Sequence, residues 1–313
     1  MNEVLVTGHK SPDTDSICSA IAYARLKAAT GTPALPICSG APNKETAFAL
    51  AYFGAECPRV VKSFKEFAAD GTVPKVILVD HNEAAQIIDD IDIAEIVENI
   101  DHHRIGGLTT EKPIFIHYEP VGCTSTIVFD LYRLHGVEVQ KQTAGLMLSA
   151  IISDTVLFRS PTTTEKDKKA AHALADLAGV DLEAYGFEML KAGADISDLS
   201  VKDIVRTDMK EFSAADKTIT IAQISVMDAS GVLADKSNLL AALEGLRSKG
   251  EYAASYLMVT DILKESTDLL YAGESDATVS AAFESEAADG SVFLPNTMSR
   301  KKQIVPPILH VMK

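Results

Sequence analysis

Three short strings in the first half of the chain each stop an apolar run on acidic or imidazole side chains. They are GHKSPDTDS (residues 8–16), VDHNE (79–83) and VENIDHHR (97–104). The runs before them, 4–6, 76–79 and 96–100, are short and rich in Val and Ile, as buried strands of a parallel sheet are. In an open α/β sheet the carboxyl ends of such strands collect at one edge, where ligands bind. His9, Asp13, Asp15, Asp80, Asp101, His102 and His103 would then share that edge. Carboxylates massed there repel one another and resist ionising unless a cation lies among them. The pattern predicts an α/β metalloenzyme.

The rest of residues 1–190 follows the same alternation. Strands are expected at 4–7, 34–38, 76–79, 96–100 and 114–118. Helices are expected from Ser16 to about Ala29, with Asp15 or Ser16 as N-cap, and at 43–53, 124–135, 140–152, 164–178 and 181–191. Alternating strands and helices imply a mainly parallel sheet covered on both faces. Around AGADISDLS (192–200) the periodicity weakens, and the linker is placed there. This gives a metal-binding domain at 1–191, a hinge at 192–200 and a smaller α/β domain at 201–313. In the last, strands are expected at 218–226, 256–260 and 268–271 and a helix at 236–249, with no strand order readable.

The chain has 313 residues and a formal net charge of −15. That charge argues against nucleic acid as a partner, because phosphate backbones are held chiefly by Lys and Arg. No apolar run approaches the ~18 residues of a membrane span. The opening MNEVLVTGHK enters a strand at once, without a signal segment. The four cysteines are scattered, with no C-x-x-C pair, so neither a disulfide frame nor a zinc clip is expected. A cytoplasmic protein without membrane contact fits best.

His9-x-x-x-Asp13-x-Asp15 lies on the loop leaving the first strand, where the i, i+2 spacing lets the two acids diverge towards different ions. Asp80 ends its strand alone, a setting suited to a carboxylate bridging two metals. Asp101 stands beside His102 and His103 and can orient them. Asp154 follows the apolar helix in AIISDT. The donors are oxygen and imidazole nitrogen with no thiolate, which points to Mn²⁺, Co²⁺ or Mg²⁺ ahead of structural zinc. Taken singly, each string is more often a turn, a cap or a solvated face.

Taken together and in this order, GHKSPDTDS, VDHNE, DHH and SDT resemble the four signature motifs of the DHH phosphoesterase superfamily. The string Ser299-Arg-Lys-Lys-Gln303 narrows the resemblance to family II, the manganese-dependent inorganic pyrophosphatases. It covers essentially the whole chain, and no motif residue is missing. The resemblance implies hydrolysis of pyrophosphate to two phosphates, with His9, Asp13 and Asp80 on one metal and Asp15, Asp80, His102 and Asp154 on the other. It implies two Mn²⁺ per subunit, replaceable by Co²⁺, with further Mg²⁺ arriving with the substrate. His103, Lys210, Arg300 and Lys301 would be catalytic and hold phosphate, with Ser299 close by, and the protein would be a homodimer.

Charge counting agrees with that division, since the charges of Asp13, Asp15, Asp80 and Asp154 cancel against two divalent ions. In the two-metal template, ions ~3.5–4 Å apart share a water and aim it at phosphorus. An exopolyphosphatase or nuclease of the same superfamily is the nearest rival, although the glycine-rich substrate motif of the nuclease branch is absent. A non-catalytic metal-binding protein on this fold would be expected to have lost a ligand.

Overall fold

The computed structural model describes residues 3–68, 71–214 and 217–312. The chain divides into two compact units, Met1–Gly193 and Ala194–Lys313. The first holds strands β1 (Val4–Thr7), β2 (Ala34–Cys38), β3 (Arg59–Val60), β4 (Lys75–Val79), β5 (Glu95–Asp101) and β6 (Phe115–Tyr118). Its helices are α1 (Thr14–Ala29), α2 (Lys44–Tyr52), α3 (Thr124–Leu134), α4 (Lys141–Thr155), α5 (Glu165–Ala178) and α6 (Leu182–Gly193). The strands form a parallel sheet in the order β3-β2-β1-β4-β5-β6. Strand order therefore reverses between β1 and β4, the point at which open sheets leave a crevice at their carboxyl edge.

Alternation along each strand decides which layer a side chain joins. Val4, Val6, Ile77 and Val79 pack with residues of α1, α3 and α4, whereas Leu5, Val76 and Leu78 pack with Phe64, Ile87 and Ile88. Both faces are covered as the sequence predicts. Helices cover one of them, while short 3-10 turns at Phe64–Phe67, Ala84–Gln86 and Ile91–Ile93 lie along the segment joining β3 to β5. Helix α1 is buried from Thr14 to Ala24 and α4 from Thr143 to Ile152. Each is apolar or small nearly all round, as a helix inside a core must be. Small residues set the approach: a Cβ on Gly145 of α4 would lie 2.3 Å from the Phe53 ring.

Three helix boundaries differ from the sequence reading where it matters: the start of α1, the end of α4, and the end of α6, which runs two residues into the expected 192–200 hinge. Helix α1 starts at Thr14, because the Asp13 carboxylate accepts from the Ser16 amide at 2.9 Å and makes Asp13 the N-cap in place of Asp15 or Ser16. Helix α4 runs through Thr155, so Asp154 lies in its last turn and does not follow it. The helix stops where Val156, Leu157 and Phe158 take φ values of 49°, 50° and 68°, left-handed backbone that non-glycine residues seldom adopt in succession. Helix α6 carries the chain through Ala192 and Gly193, and the next element, α7 (Val201–Ile204), is opened by a capping box between Ser200 and Asp203.

The second unit contains β7 (Lys210–Ala214), β8 (Lys217–Val226), β9 (Ala254–Asp261), β10 (Ser266–Ala272), β11 (Ala287–Ala288) and β12 (Ser291–Pro295). They form a mixed sheet ordered β11-β12-β10-β9-β8-β7, in which only β8 and β9 run parallel. Besides α7 it carries α8 (Ser230–Leu233), α9 (Lys236–Gly250), α10 (Asp276–Phe283) and α11 (Val305–Val311). Tyr256 and Met258 face one core layer, while Leu257 and Val259 face the other. It is a smaller α/β unit, as expected. None of the helices among the described residues is long and apolar enough to cross a membrane.

Candidate metal centre

The turn out of β1 needs a glycine. A Cβ on Gly8 would lie 2.5 Å from the Ser16 Cβ, so only glycine lets the loop fold back on the first turn of α1. The loop then presents His9, whose Nε2 lies 3.3 Å from Asp13 Oδ2 and 3.5 Å from Asp80 Oδ2. Asp80 leaves β4 with φ 64° and is 2 % exposed. That conformation turns its carboxylate into the crevice, where it accepts from Ser16 Oγ at 2.9 Å and Thr124 Oγ1 at 3.4 Å.

The end of β5 delivers the imidazoles. His102 Nε2 lies 3.4 Å from Asp80 Oδ1 and 3.8 Å from Asp154 Oδ2, while its Nδ1 faces the Val121 carbonyl at 3.0 Å. Donation from Nδ1 to that carbonyl leaves the Nε2 lone pair for a metal. Asp101 takes the amides of His102 and His103 at 2.8 and 3.0 Å and bonds His103 Nδ1 at 2.9 Å. It fixes the His103 ring from behind, while the Val121 carbonyl orients that of His102.

Asp15 sits on the first turn of α1 and meets the start of α3. The Thr124 and Ser125 amides donate to its two oxygens at 2.7 and 3.1 Å, and Ser19 Oγ adds a third bond at 2.6 Å. Cys123, the N-cap of α3, offers no side-chain acceptor, so the helix N-terminus is satisfied by this carboxylate.

Among the described residues, three sets of side chains bring potential ligand atoms within 4.8 Å of one another: His9, Asp13 and Asp80; Asp15, Asp80, His102 and Asp154; and Asp80, His102 and His103. Asp80 belongs to all three. Every metal ligand named from the sequence is therefore in one cluster. In the third set, His103 reaches Asp80 through Nδ1, at 3.7 Å, the same nitrogen that Asp101 holds.

Without metal the cluster is short of positive charge. Burial, reinforced by Asp80, pushes Asp15 up to about 6, and burial with Asp15, Asp13 and Asp80 holds Asp154 well above the usual carboxylate range. Burial works against the His102 cation, yet its bond to Asp80 and the charges of Asp80 and Asp15 raise it to about 9. Burial also opposes ionised Asp80, but His102, His103 and His9 outweigh it and keep that carboxyl below its ordinary value. Protons stand where cations would. The donor set of carboxylate oxygens and free imidazole nitrogens fits Mn²⁺ or a similar ion.

Residues to which the sequence gives no role at the site complete the surroundings. Ser16, Ser19, Thr124 and Ser125 hold the carboxylates, and the helix start GCTST was the available signal for the last two. Asn82 donates to Asp101 Oδ2 at 2.5 Å. His81 is 2 % exposed with Nδ1 on the Val79 carbonyl at 2.8 Å and Nε2 unpartnered among the described residues; burial lowers it to about 4 and keeps it neutral.

Of the residues expected to hold phosphate, His103 lies in the first unit, and Lys210, Ser299, Arg300 and Lys301 lie in the second. Lys210 opens β7 and is exposed. Ser299 caps a π-helical turn at Arg300–Ile304 by accepting from the Lys302 amide. Arg300 is 9 % exposed. It donates through Nη1 to the Asp208 and Ile221 carbonyls and through Nη2 to Asp208 Oδ2 at 2.8 Å. Since Ile221 pairs with Lys210 across β7 and β8, Arg300 is tied to the strand that carries Lys210. Lys301 is exposed.

A parallel sheet with Asp and His residues at its switch point, followed by a mixed-sheet unit, defines a DHH-type protein. The model of the DHH family, N-terminal domain, matches residues 3–151, and that of the DHHA2 domain matches residues 187–311. The manganese-dependent inorganic pyrophosphatase of Bacillus subtilis (strain 168) is 44% identical over 312 residues, 100% of this chain and 99% of that one. A Bacillus licheniformis protein given the same name as a probable assignment is 47% identical over 313 residues, 100% of each chain. A crystal structure of a Methanococcus jannaschii protein assigned to the family II inorganic pyrophosphatases superposes with TM-score 0.82 at 39% identity, covering 99% of both chains. The chain belongs to the family of manganese-dependent, family II inorganic pyrophosphatases.

Proposed function

We propose that this chain is a manganese-dependent inorganic diphosphatase that hydrolyses pyrophosphate to two phosphates. The observation that carries the reading is Asp80, one buried carboxylate common to every potential ligand set. His9, Asp13 and Asp80 would hold one Mn²⁺, and Asp15, Asp80, His102 and Asp154 a second. Bound there, such ions would lower the pKa of a water and draw charge from phosphate oxygens. Co²⁺ would substitute for Mn²⁺, and Mg²⁺ would accompany the substrate.

The chain's own groups would do the remaining work. His103 has Nδ1 committed to Asp101, which leaves Nε2 to exchange a proton with a phosphate oxygen. Lys210, Ser299, Arg300 and Lys301 would bind the phosphates. Of the five N–H groups of Arg300, three are spent on protein acceptors, so the others would be the ones to grip an anion. In a chain of net charge −15, a local basic cluster can hold one small anion such as pyrophosphate, whereas a long nucleic-acid backbone needs an extended basic surface. A cytoplasmic homodimer completes the reading. The edge strand β6, with Phe115 49% and Ile116 54% exposed, supports pairing with a second copy. The residues between α6 and α7 would act as a hinge between a metal domain and a phosphate domain.

The test is phosphate release from pyrophosphate, tripolyphosphate and a dinucleotide after chelation, with Mn²⁺, Co²⁺ or Mg²⁺ restored. Hydrolysis of pyrophosphate, strongest with Mn²⁺ or Co²⁺, is expected. Preference for tripolyphosphate or the dinucleotide would overturn the substrate, and equal activity with Mg²⁺ alone would overturn the manganese requirement.

A further inference from the structure

Glu45 belongs to none of the potential ligand sets, yet it touches the neighbours of three of their members. It lies in the first turn of α2, where Asn43 caps the helix by accepting from the Thr46 amide at 2.8 Å. Its Oε1 accepts from Thr14 Oγ1 at 3.0 Å and from Ser153 Oγ. Thr14 stands between Asp13 and Asp15, and Ser153 immediately precedes Asp154. A single carboxylate oxygen thus joins the loop that supplies two candidate ligands to the helix end that supplies another.

The hydroxyl bookkeeping leaves one arrangement. Thr14 has one hydroxyl proton and gives it to Glu45, so the 3.0 Å contact between Thr14 and Thr46 is made by the Thr46 proton. Thr46, Thr14 and Glu45 form a directed chain, with Ser153 meeting it from the other side. On the far side of the carboxylate, a Cβ added to Gly193 would lie 2.9 Å from Glu45 Cβ and Oε2. The end of α6 therefore packs closely against the same side chain. Neither Lys nor Arg pairs with Glu45 among the described residues, so what it supplies is acceptance from two hydroxyls.

We propose that Glu45 is a positioning residue that sets the separation of the Asp13–Asp15 loop from Asp154, and through it the affinity of the centre for Mn²⁺. This rests on the di-metal reading given above. Ligands spread over a β–α loop and a helix C-terminus have no covalent reason to keep one spacing, and the left-handed run after Thr155 makes that helix end a place where the backbone changes course. Outer groups that orient ligands change metal affinity ~10–100-fold when removed.

The experiment titrates Mn²⁺ into metal-free wild type, Glu45→Ala and Glu45→Gln by calorimetry, with pyrophosphate hydrolysis followed at rising Mn²⁺. Glu45→Ala should bind Mn²⁺ ~10-fold or more weakly, and excess Mn²⁺ should restore its turnover. Glu45→Gln keeps the accepting oxygen and should stay within about threefold of wild type. Wild-type affinity in Glu45→Ala would overturn the proposal, as would an equal loss in Glu45→Gln. If Glu45→Ala does not fold, Ser153→Ala and Thr14→Ala remove the donors instead, and unchanged affinity in both would overturn it equally. A wild type that binds Mn²⁺ but leaves pyrophosphate intact would sink the diphosphatase reading while the affinity comparison still decides Glu45. A wild type that binds no Mn²⁺ overturns both.

Discussion

Mn²⁺ should bind this chain more tightly by at least about tenfold for each unit that the pH is raised between 6 and 8. The perturbation is the proton on His102. In the metal-free chain that ring titrates at about 9, because Asp80 and Asp15 surround it, so at neutral pH its Nε2 carries a proton that a metal must displace. Removing it at pH 7 costs about 1.36 kcal/mol for each of two units, or roughly 2.7 kcal/mol, a factor of ~100 in apparent affinity. Asp154, held above the usual carboxylate range by burial and its neighbours, acts in the same direction, and Asp15, at about 6, adds to it at the acid end.

The assay is calorimetric titration of Mn²⁺ at several pH values, repeated in two buffers of different ionisation enthalpy to count protons released. At least one proton per chain should leave at pH 7.5. Affinity independent of pH between 7 and 8, with no proton released, would refute the argument that protons occupy the places of the metals.

Further outcomes follow from the same geometry. Asp80→Asn keeps the left-handed backbone, which Asn tolerates, but removes the shared charge; metal stoichiometry should fall below one per chain, and a value near two would contradict a shared ligand. Arg300→Ala should cut turnover with Mn²⁺ affinity unchanged and also lower stability by about 2–4 kcal/mol, because buried acceptors lose their donor. Lys301→Ala, at an exposed position, should cut turnover alone; thermal unfolding beside kinetics separates the two. The metal-free chain should melt at a lower temperature as pH rises from 6.5 to 9. A histidine raised to about 9 contributes its full stability below its unfolded pKa of ~6.5 and loses it, here up to about 3.4 kcal/mol, on passing through 9. A melting temperature that rises over that window would refute the charge state assigned to His102.

The metal cluster was legible because its residues sit at ends of elements, where an apolar run breaks visibly into Asp or His. The edges of those elements were less so. Asp13 carries both a cap and a candidate ligand role, and nothing in PDTDS says which Asp closes the helix. Asp154 was read as following a helix, because apolar periodicity stops at Ile152 while hydrogen bonding continues to Thr155. The second unit's strand order stayed hidden because one parallel crossover through α9 is mixed with antiparallel pairs, and sequence patterns do not record partners. Arg300 was expected to hold phosphate, but nothing in its polar run signals the burial that the carbonyls of Asp208 and Ile221 and the Asp208 carboxylate explain. Glu45 had no signal at all, since its partners are hydroxyls ~30 and ~110 residues away.

The way the acids are held argues for cations in this crevice better than their number does. A buried carboxylate cluster kept for structure would be expected to be neutralised by Arg or Lys, each paired and hydrogen-bonded. Here Asp15 and Asp80 are gripped by amides and hydroxyls from Ser16, Ser19, Thr124 and Ser125, donors that fix direction without cancelling charge. Among the described residues the ion-pair partners of Asp80, Asp13 and Asp154 are histidines alone, the one basic side chain that can give up its proton and remain as a ligand. Such a site is rigid before it is neutral. Its remaining charge is met by protons, which the raised Asp15, Asp154 and His102 retain more readily, or by metal ions that release them. The same hydroxyl scaffold that leaves the metal-free centre electrostatically costly would hold a cation of defined place and charge.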